Sequence, residues 1–151
     1  MSRPALGGTP RTRRAFRPEV LVQAGRPPLP PAQASRLIRD LAARLSVPFA
    51  TVSVVFGDDA MLRNLNHRFR GKDRPTDVLS FPAGEDGHLG DIVISSETTR
   101  RQARRRGHDA ASEARILLIH GFLHLLGYDH TEDDGEMDAL ERTMRWELLR
   151  R

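Results

Sequence analysis

Three histidines near the C-terminal end of the chain have the spacing of a metal site: His120, His124 and His130, within the stretch HGFLHLLGYDH. On a helix the first two lie four residues apart on one face, so both imidazoles can reach one ion. Gly127 is expected to end that helix, and the turn after it allows His130 to return as a third ligand. Three neutral imidazoles with one open position are typical of a catalytic zinc site rather than of a closed structural site.

A packing role is the alternative for these histidines, because a single histidine in a buried helix is usually only a core residue. Three of them at this spacing, with a helix-ending glycine between the second and the third, favour the interpretation as ligands. Asp129 can accept a hydrogen bond from one imidazole and so orient it. It can equally cap the turn before the next helix, and the sequence leaves both roles open.

Gly121 separates this motif from that of the H-E-x-x-H zinc peptidases, which place their general base, a glutamate, directly after the first histidine. Zinc lowers the pKa of a bound water to about 7. A phosphodiester then releases an alkoxide, which needs less help from an acid than the amine that a peptide releases. We therefore interpret Gly121 as space beside the metal, at the position where a peptidase places its base.

Phosphoryl chemistry also requires positive charge opposite the transition state. The stretch RFRGKDRPTDVLSFP, from Arg68 to Pro82, can supply it through Arg70, with Lys72 and Arg74 nearby. Taken alone, this stretch would be better explained as a solvated loop. Its combination with the histidine motif makes Arg70 the candidate catalytic residue.

The composition predicts one domain of 151 residues with a net charge of +4 and an uneven distribution of basic residues. Arginine is concentrated in the first 44 residues and again within 63–74 and 100–106, which favours a polyanionic partner. The chain has no cysteine, so a metal site must use histidine and carboxylates, and a reducing cytoplasm is compatible. No apolar run is long enough to span a membrane, and the start lacks the apolar segment of a secretory signal.

Hydrophobic periodicity predicts the element order β-α-β-α-β-β-α-α-α after a basic, disordered tail over residues 1–18. The domain over 19–151 is then α/β (α+β), with a small mixed four-stranded sheet and helices around it. The predicted strands cover 19–24, 50–56, 78–81 and 91–95. Helices are predicted over 32–45, 97–106 and 135–149. Another helix is capped by Asp58 or Asp59 and has Met61, Leu62, Leu65 and Phe69 on its apolar face. A further, buried helix extends from Asp109 to Leu126.

Three motifs together resemble the signatures of the YbeY family of bacterial endoribonucleases: NHRFRGKDRPTDVLSFP, LGDIVIS and HGFLHLLGYDH, in the family's order. The similarity extends from about Val20 to the C-terminus, and the histidine motif matches at every fixed position. The resemblance implies a fold similar to that of zinc peptidases, with one zinc ion per chain held by His120, His124 and His130. It places the family's essential arginine on Arg70. The tail before Phe16 has no counterpart in the family core.

The resemblance further implies a cytoplasmic enzyme that cleaves single-stranded RNA, matures the 3′ end of 16S ribosomal RNA on the small ribosomal subunit and acts in ribosome quality control. Its implied partners are a small-subunit ribosomal protein and an assembly GTPase, with no membrane. The positions Asn66, Asp73, Thr76, Asp77 and Ser80 also match the family pattern, without an assigned role. Two other classes stay open: a zinc metallopeptidase, and a non-catalytic ribosome-assembly factor with a structural metal.

Overall fold

A computed structural model describes residues 16–48, 50–85, 87–129 and 131–149. Within these ranges the chain forms four strands and five helices in the predicted order. The strands are β1 (Arg17–Val22), β2 (Thr51–Gly57), β3 (Val78–Glu85) and β4 (His88–Ser95), and the helices are α1 (Pro31–Arg44), α2 (Asp59–Arg70), α3 (Ser96–Arg106), α4 (Ala110–Leu125) and α5 (Glu136–Leu149). Most of the predicted tail lies outside the described residues. No helix in the described ranges is both long enough and apolar enough to cross a membrane.

The four strands form one mixed sheet in the order β1-β2-β4-β3. Helix α1 joins β1 to β2, and the chain passes through α2 and β3 between β2 and β4. The pairs β1–β2 and β2–β4 are parallel, whereas β3 and β4 form an antiparallel hairpin. Strand β3 therefore lies at one edge of the sheet. This arrangement confirms the predicted single α/β domain with a mixed four-stranded sheet.

Helices cover both faces of the sheet, because alternate residues of a strand point to opposite faces. On one face the side chains of Val54, Ile92 and Ile94 join a large core with α1, α4 and α5. On the other face Leu79 and Val93 pack against Leu62 of α2 in a smaller core. The edge strand β3 thus lies between α4 on one side and α2 on the other.

Short polar side chains begin the helices α2, α3 and α4. Asp58, Ser95 and Asp109 each accept a hydrogen bond from the backbone amide three residues later, which satisfies a donor that the helix leaves unpaired. Glycines at 71 and 107 end α2 and α3 in the left-handed conformation, which they adopt without a Cβ penalty. These local signals explain why the predicted helix ends lie within one or two residues of the observed ones.

Three expectations from the sequence are wrong. Strand β1 begins at Arg17 and ends at Val22, two residues earlier than predicted. The segment from Pro82 to Leu89 is not a loop, because β3 continues to Glu85 and β4 begins at His88. The two strands pair with each other there as a hairpin. Phe69 is absent from the buried face of α2, and Asn66 is buried there instead.

Candidate metal centre and basic cleft

Helix α4 brings His120 and His124 together on one face, as their spacing predicts. Their Nε2 atoms lie 3.0 Å apart, and the two rings meet edge to face with 4.5 Å between centroids. Both residues are half-buried rather than fully buried as expected from the apolar helix. Their face of α4 is therefore partly exposed to solvent.

This pair fits a zinc ion. Two nitrogens bound at 2.0–2.1 Å to a tetrahedral zinc are separated by about 3.4 Å, which requires only a small movement from the observed spacing. Within the described ranges no three histidine or acidic side chains form such a cluster. His130 lies outside the described residues, so its role as third ligand stays a prediction.

Glu141 of α5 orients the first imidazole. Nδ1 of His120 donates a hydrogen bond to Oε1 of this carboxylate, whose side chain is only 11% exposed. With the proton held on Nδ1, the lone pair of Nε2 points toward His124, and a carboxylate in this position also makes the imidazole a stronger ligand. The carboxylate–histidine arrangement is the one that metal-binding histidines commonly show.

Sequence reasoning missed Glu141 and considered Asp129 for this role. Asp129 Oδ1 accepts hydrogen bonds from the backbone amide and the hydroxyl of Thr131, which is the turn-forming role. The available signal for Glu141 was its place on the apolar face of α5, one turn after the fully buried Met137. An acidic residue on such a face needs a partner, and its partners here include His120 and Arg145.

Gly121 faces the sheet, so our interpretation of it as space beside the metal is wrong. An added Cβ would lie 2.9 Å from Cγ2 of Ile92 and 3.0 Å from Oγ of Ser80. The same Ser80 hydroxyl donates a hydrogen bond of 2.9 Å to the Gly121 carbonyl. The glycine therefore permits a close approach of α4 to the sheet, one residue from His120.

Arg70 lies at the rim of a polar cleft of about 420 Å³. Lys72 and Arg74 line the same cleft, which extends to Val78 at the start of β3. Val78 in turn packs against α4, since its Cγ2 atom would lie 3.4 Å from a Cβ at position 121. The cleft and the histidine pair are thus joined through the first residues of the edge strand.

Four polar residues of the motif between Asn66 and Ser80 have structural partners. Asn66 Nδ2 donates to the carbonyl of Arg74, and Asp77 accepts from its neighbour's amide and from the side chain of Gln102 on α3. Ser80 joins β3 to α4, as described above. The hydrogen bond from Arg63 lowers the pKa of the Asp73 carboxyl below its ordinary value, and their charges add to this effect. These contacts hold the loop that carries the basic side chains.

The basic clusters differ in how far their charge is already paired. On α3, Arg101 binds the carboxylate of Asp59, and Arg106 binds the buried Glu113. In the loop after α2, Arg63 is paired with Asp73, but Arg70, Lys72 and Arg74 have no ion pair within the described part of the chain. The three basic side chains of the cleft at the end of α2 are therefore available to a polyanion.

A larger cavity of about 780 Å³ lies at the other end of the histidine motif. Its lining includes the acidic side chains Asp129, Glu132, Asp133 and Glu136. His88 also lines it, held by Thr51 Oγ1 at 2.7 Å and by Asp91 Oδ1 at 3.0 Å. Its acidic lining is unsuited to a polyanion, so the smaller basic cleft is the better candidate for binding phosphate.

Comparison with known proteins gives one consistent match. A sequence model of the family described as Endoribonuclease YbeY matches residues 31–148. A protein of that name from Koribacter versatilis is 53% identical over 97 residues, which cover 64% of this chain and 64% of the relative. The one from Chelativorans sp. is 48% identical over 117 residues, with 71% of this chain and 72% of the relative covered. The chain thus spans slightly less than two thirds of the first of these relatives.

The fold has a solved counterpart as well. The solution structure of TM1509 from Thermotoga maritima superposes with a TM-score of 0.59 at 28% sequence identity. The match covers 84% of this chain and 85% of that protein.

Proposed function

The chain belongs to the Endoribonuclease YbeY family, and from this premise we propose that it is a zinc-dependent endoribonuclease for single-stranded RNA. Its substrate is the 3′ end of 16S ribosomal RNA on the small ribosomal subunit in the cytoplasm, during maturation and quality control. A small-subunit ribosomal protein and an assembly GTPase are the partners proposed with it. The observation that carries the proposal is the His120–His124 pair, oriented by Glu141 and connected to a basic cleft.

The histidines provide the metal-binding part of this proposal. His120 and His124 present Nε2 atoms to one point, and His130 completes the set. A zinc ion held by three imidazoles supplies a Lewis acid and lowers the pKa of water to about 7. Glu141 keeps the proton of His120 on Nδ1, so that Nε2 is available as a ligand.

Arg70 provides the phosphate-binding part. Its planar guanidinium can donate two parallel hydrogen bonds to the oxygens of a phosphodiester. Because its charge is not already used by a carboxylate in the described residues, it can stabilise the negative charge that grows on the phosphate during cleavage. Lys72 and Arg74 add positive potential along the path of an RNA strand that enters the cleft.

Replacement of Arg70 by alanine tests this assignment. We expect Arg70→Ala to lose at least about 100-fold in the rate of cleavage of a single-stranded RNA spanning the 3′ end of 16S ribosomal RNA. Zinc content and melting temperature should stay close to those of the wild type, because the side chain is exposed at the end of α2. Arg105→Ala, which removes an exposed arginine of α3, is the matched control and should cleave normally.

The same assay separates the alternatives. Cleavage by rigorously purified Arg70→Ala at the wild-type rate would refute the catalytic role of Arg70. Absence of cleavage in both proteins, with zinc bound, would favour the assembly factor with a structural metal. Cleavage of a peptide but not of RNA would favour the metallopeptidase, which the lack of a glutamate at position 121 argues against.

A further inference from the structure

Phe69 is the last apolar residue of α2, and its side chain is 61% exposed. Phenylalanine is one of the residue types most often buried, so exposure on this scale needs a reason. It lies directly before Arg70 in sequence, whose side chain lines the polar cleft. Gly71 then ends the helix.

The ring is held in place rather than free to turn in solvent. Phe81 of the edge strand meets it edge to face, with 5.3 Å between centroids and 63° between planes. Phe81 itself packs against the core of Leu62, Leu79 and Val93. This contact restricts the orientation of the exposed Phe69 ring.

A basic side chain lies beside this ring. The Arg68 guanidinium lies 5.5 Å from the centre of the Phe69 ring. Proteins bind single-stranded nucleic acid by stacking a base on an exposed aromatic ring while nearby cations hold the phosphates. An acidic protein partner would use the positive charges but would not require the aromatic ring.

We propose that Phe69 is a stacking platform for one base of single-stranded RNA, with Arg68 beside the ring to bind a phosphate. This inference rests on the proposed function, and it adds a residue that contacts the base instead of the phosphate backbone. Every base has a flat face, so the contact favours unpaired RNA over duplex without selecting a sequence. A paired base inside a duplex cannot place its face on this ring.

Binding of a fluorescent 2′-O-methyl RNA oligonucleotide to the zinc-loaded full chain tests the contact, with gel electrophoresis after each titration to show that the oligonucleotide is intact. Phe69→Ala should raise Kd by about 5- to 150-fold, the range for one lost base stack. Phe69→Tyr, which keeps the ring, should bind within about twofold of the wild type. Trp146→Ala is the matched control, because Trp146 is also an exposed aromatic residue beside arginines, 62% exposed.

Salt dependence distinguishes stacking from charge. Loss of a phosphate contact in Arg70→Ala should reduce the slope of log Kd against log salt by about 1, whereas Phe69→Ala should leave that slope unchanged. Since the chain has a single tryptophan, the double variant Phe69→Trp, Trp146→Phe provides a direct probe. Its fluorescence should be quenched by single-stranded RNA and not by an equal concentration of duplex.

Wild-type affinity in Phe69→Ala, or an equal loss in Trp146→Ala, would overturn the stacking role. If the wild type cleaves unmodified RNA in that case, the proposed function stands and only this inference fails. If the wild type binds RNA through Phe69 but does not cleave it, the stacking role stands and the nuclease proposal fails. A wild type that does not bind single-stranded RNA would overturn both.

Discussion

Replacement of Gly121 by alanine should destabilise the protein, although alanine is the better helix former. In an unobstructed helix the exchange would stabilise by about 0.8–1.0 kcal/mol. Here the new Cβ would approach Ile92 Cγ2 to 2.9 Å and Ser80 Oγ to 3.0 Å. Neither atom moves freely, because Ile92 is a fully buried residue of an internal strand and Ser80 is bonded to the residue 121 carbonyl. Overpacking of this kind costs about 1–3 kcal/mol, so a net loss of up to about 2 kcal/mol is expected.

Urea unfolding followed by far-UV circular dichroism measures this loss. The double variant Gly121→Ala, Ile92→Leu is the partner experiment, because leucine moves the branch away from the Cγ2 position. Ile92→Leu alone should cost less than about 1.5 kcal/mol, and the two changes together should cost less than their sum. If Gly121→Ala instead gains the full helix-propensity increment, then α4 and the sheet are not in close contact at this residue.

Two further predictions concern carboxylates. Glu141→Gln should weaken zinc binding by about 10- to 100-fold while the helices stay folded, as measured by competition with a chromophoric chelator; an unchanged affinity would show that the carboxylate does not support the metal site. Burial raises the pKa of Asp59, but hydrogen bonds from Ser95, Thr98 and Arg101 outweigh it and leave that pKa below its ordinary value. A carboxyl whose pKa is lower in the folded state stabilises the fold at pH values above its pKa in the unfolded state. This stabilisation is lost as the pH falls through its pKa in the folded state. Asp59→Asn should therefore be less stable than the wild type at pH 7, by about 1 kcal/mol, and the difference should shrink as pH falls below about 4; a constant difference would exclude this origin.

Local signals explain why most of the fold is predictable from the sequence. The caps Asp58 and Asp109 and the glycines that end α2 and α3 are short-range features, visible without knowledge of the tertiary structure. The order of strands and helices then restricts the sheet to a few topologies. The sequence predicts only part of the β3–β4 hairpin because AGEDGH, residues 83–88, is rich in turn-forming residues, whereas the edge strand continues through the first three of them to Glu85.

The candidate site likewise contains features that local sequence predicts and features that depend on tertiary packing. The spacing of His120 and His124 depends only on helical geometry, so their meeting could be predicted. The partnership of His120 with Glu141 depends on how α5 packs against α4, 21 residues further along the chain. Gly121 was misassigned for the same reason, because the motif shows which residue is a glycine but not which surface it faces.

The edge strand β3 is the physical connection between phosphate binding and the histidine pair. On one face Ser80 bonds to the backbone of α4 beside His120. On the other, Leu79 and Phe81 pack under α2, which carries Phe69 and Arg70 at its end. Alternation along three consecutive residues therefore fixes α2, which carries the proposed RNA contacts, and α4, which carries the histidine pair, to one strand. A base on Phe69, a phosphate at Arg70 and an ion at the histidines would then be held at separations set by a sheet rather than by a loop, which is the rigidity that catalysis by positioning requires.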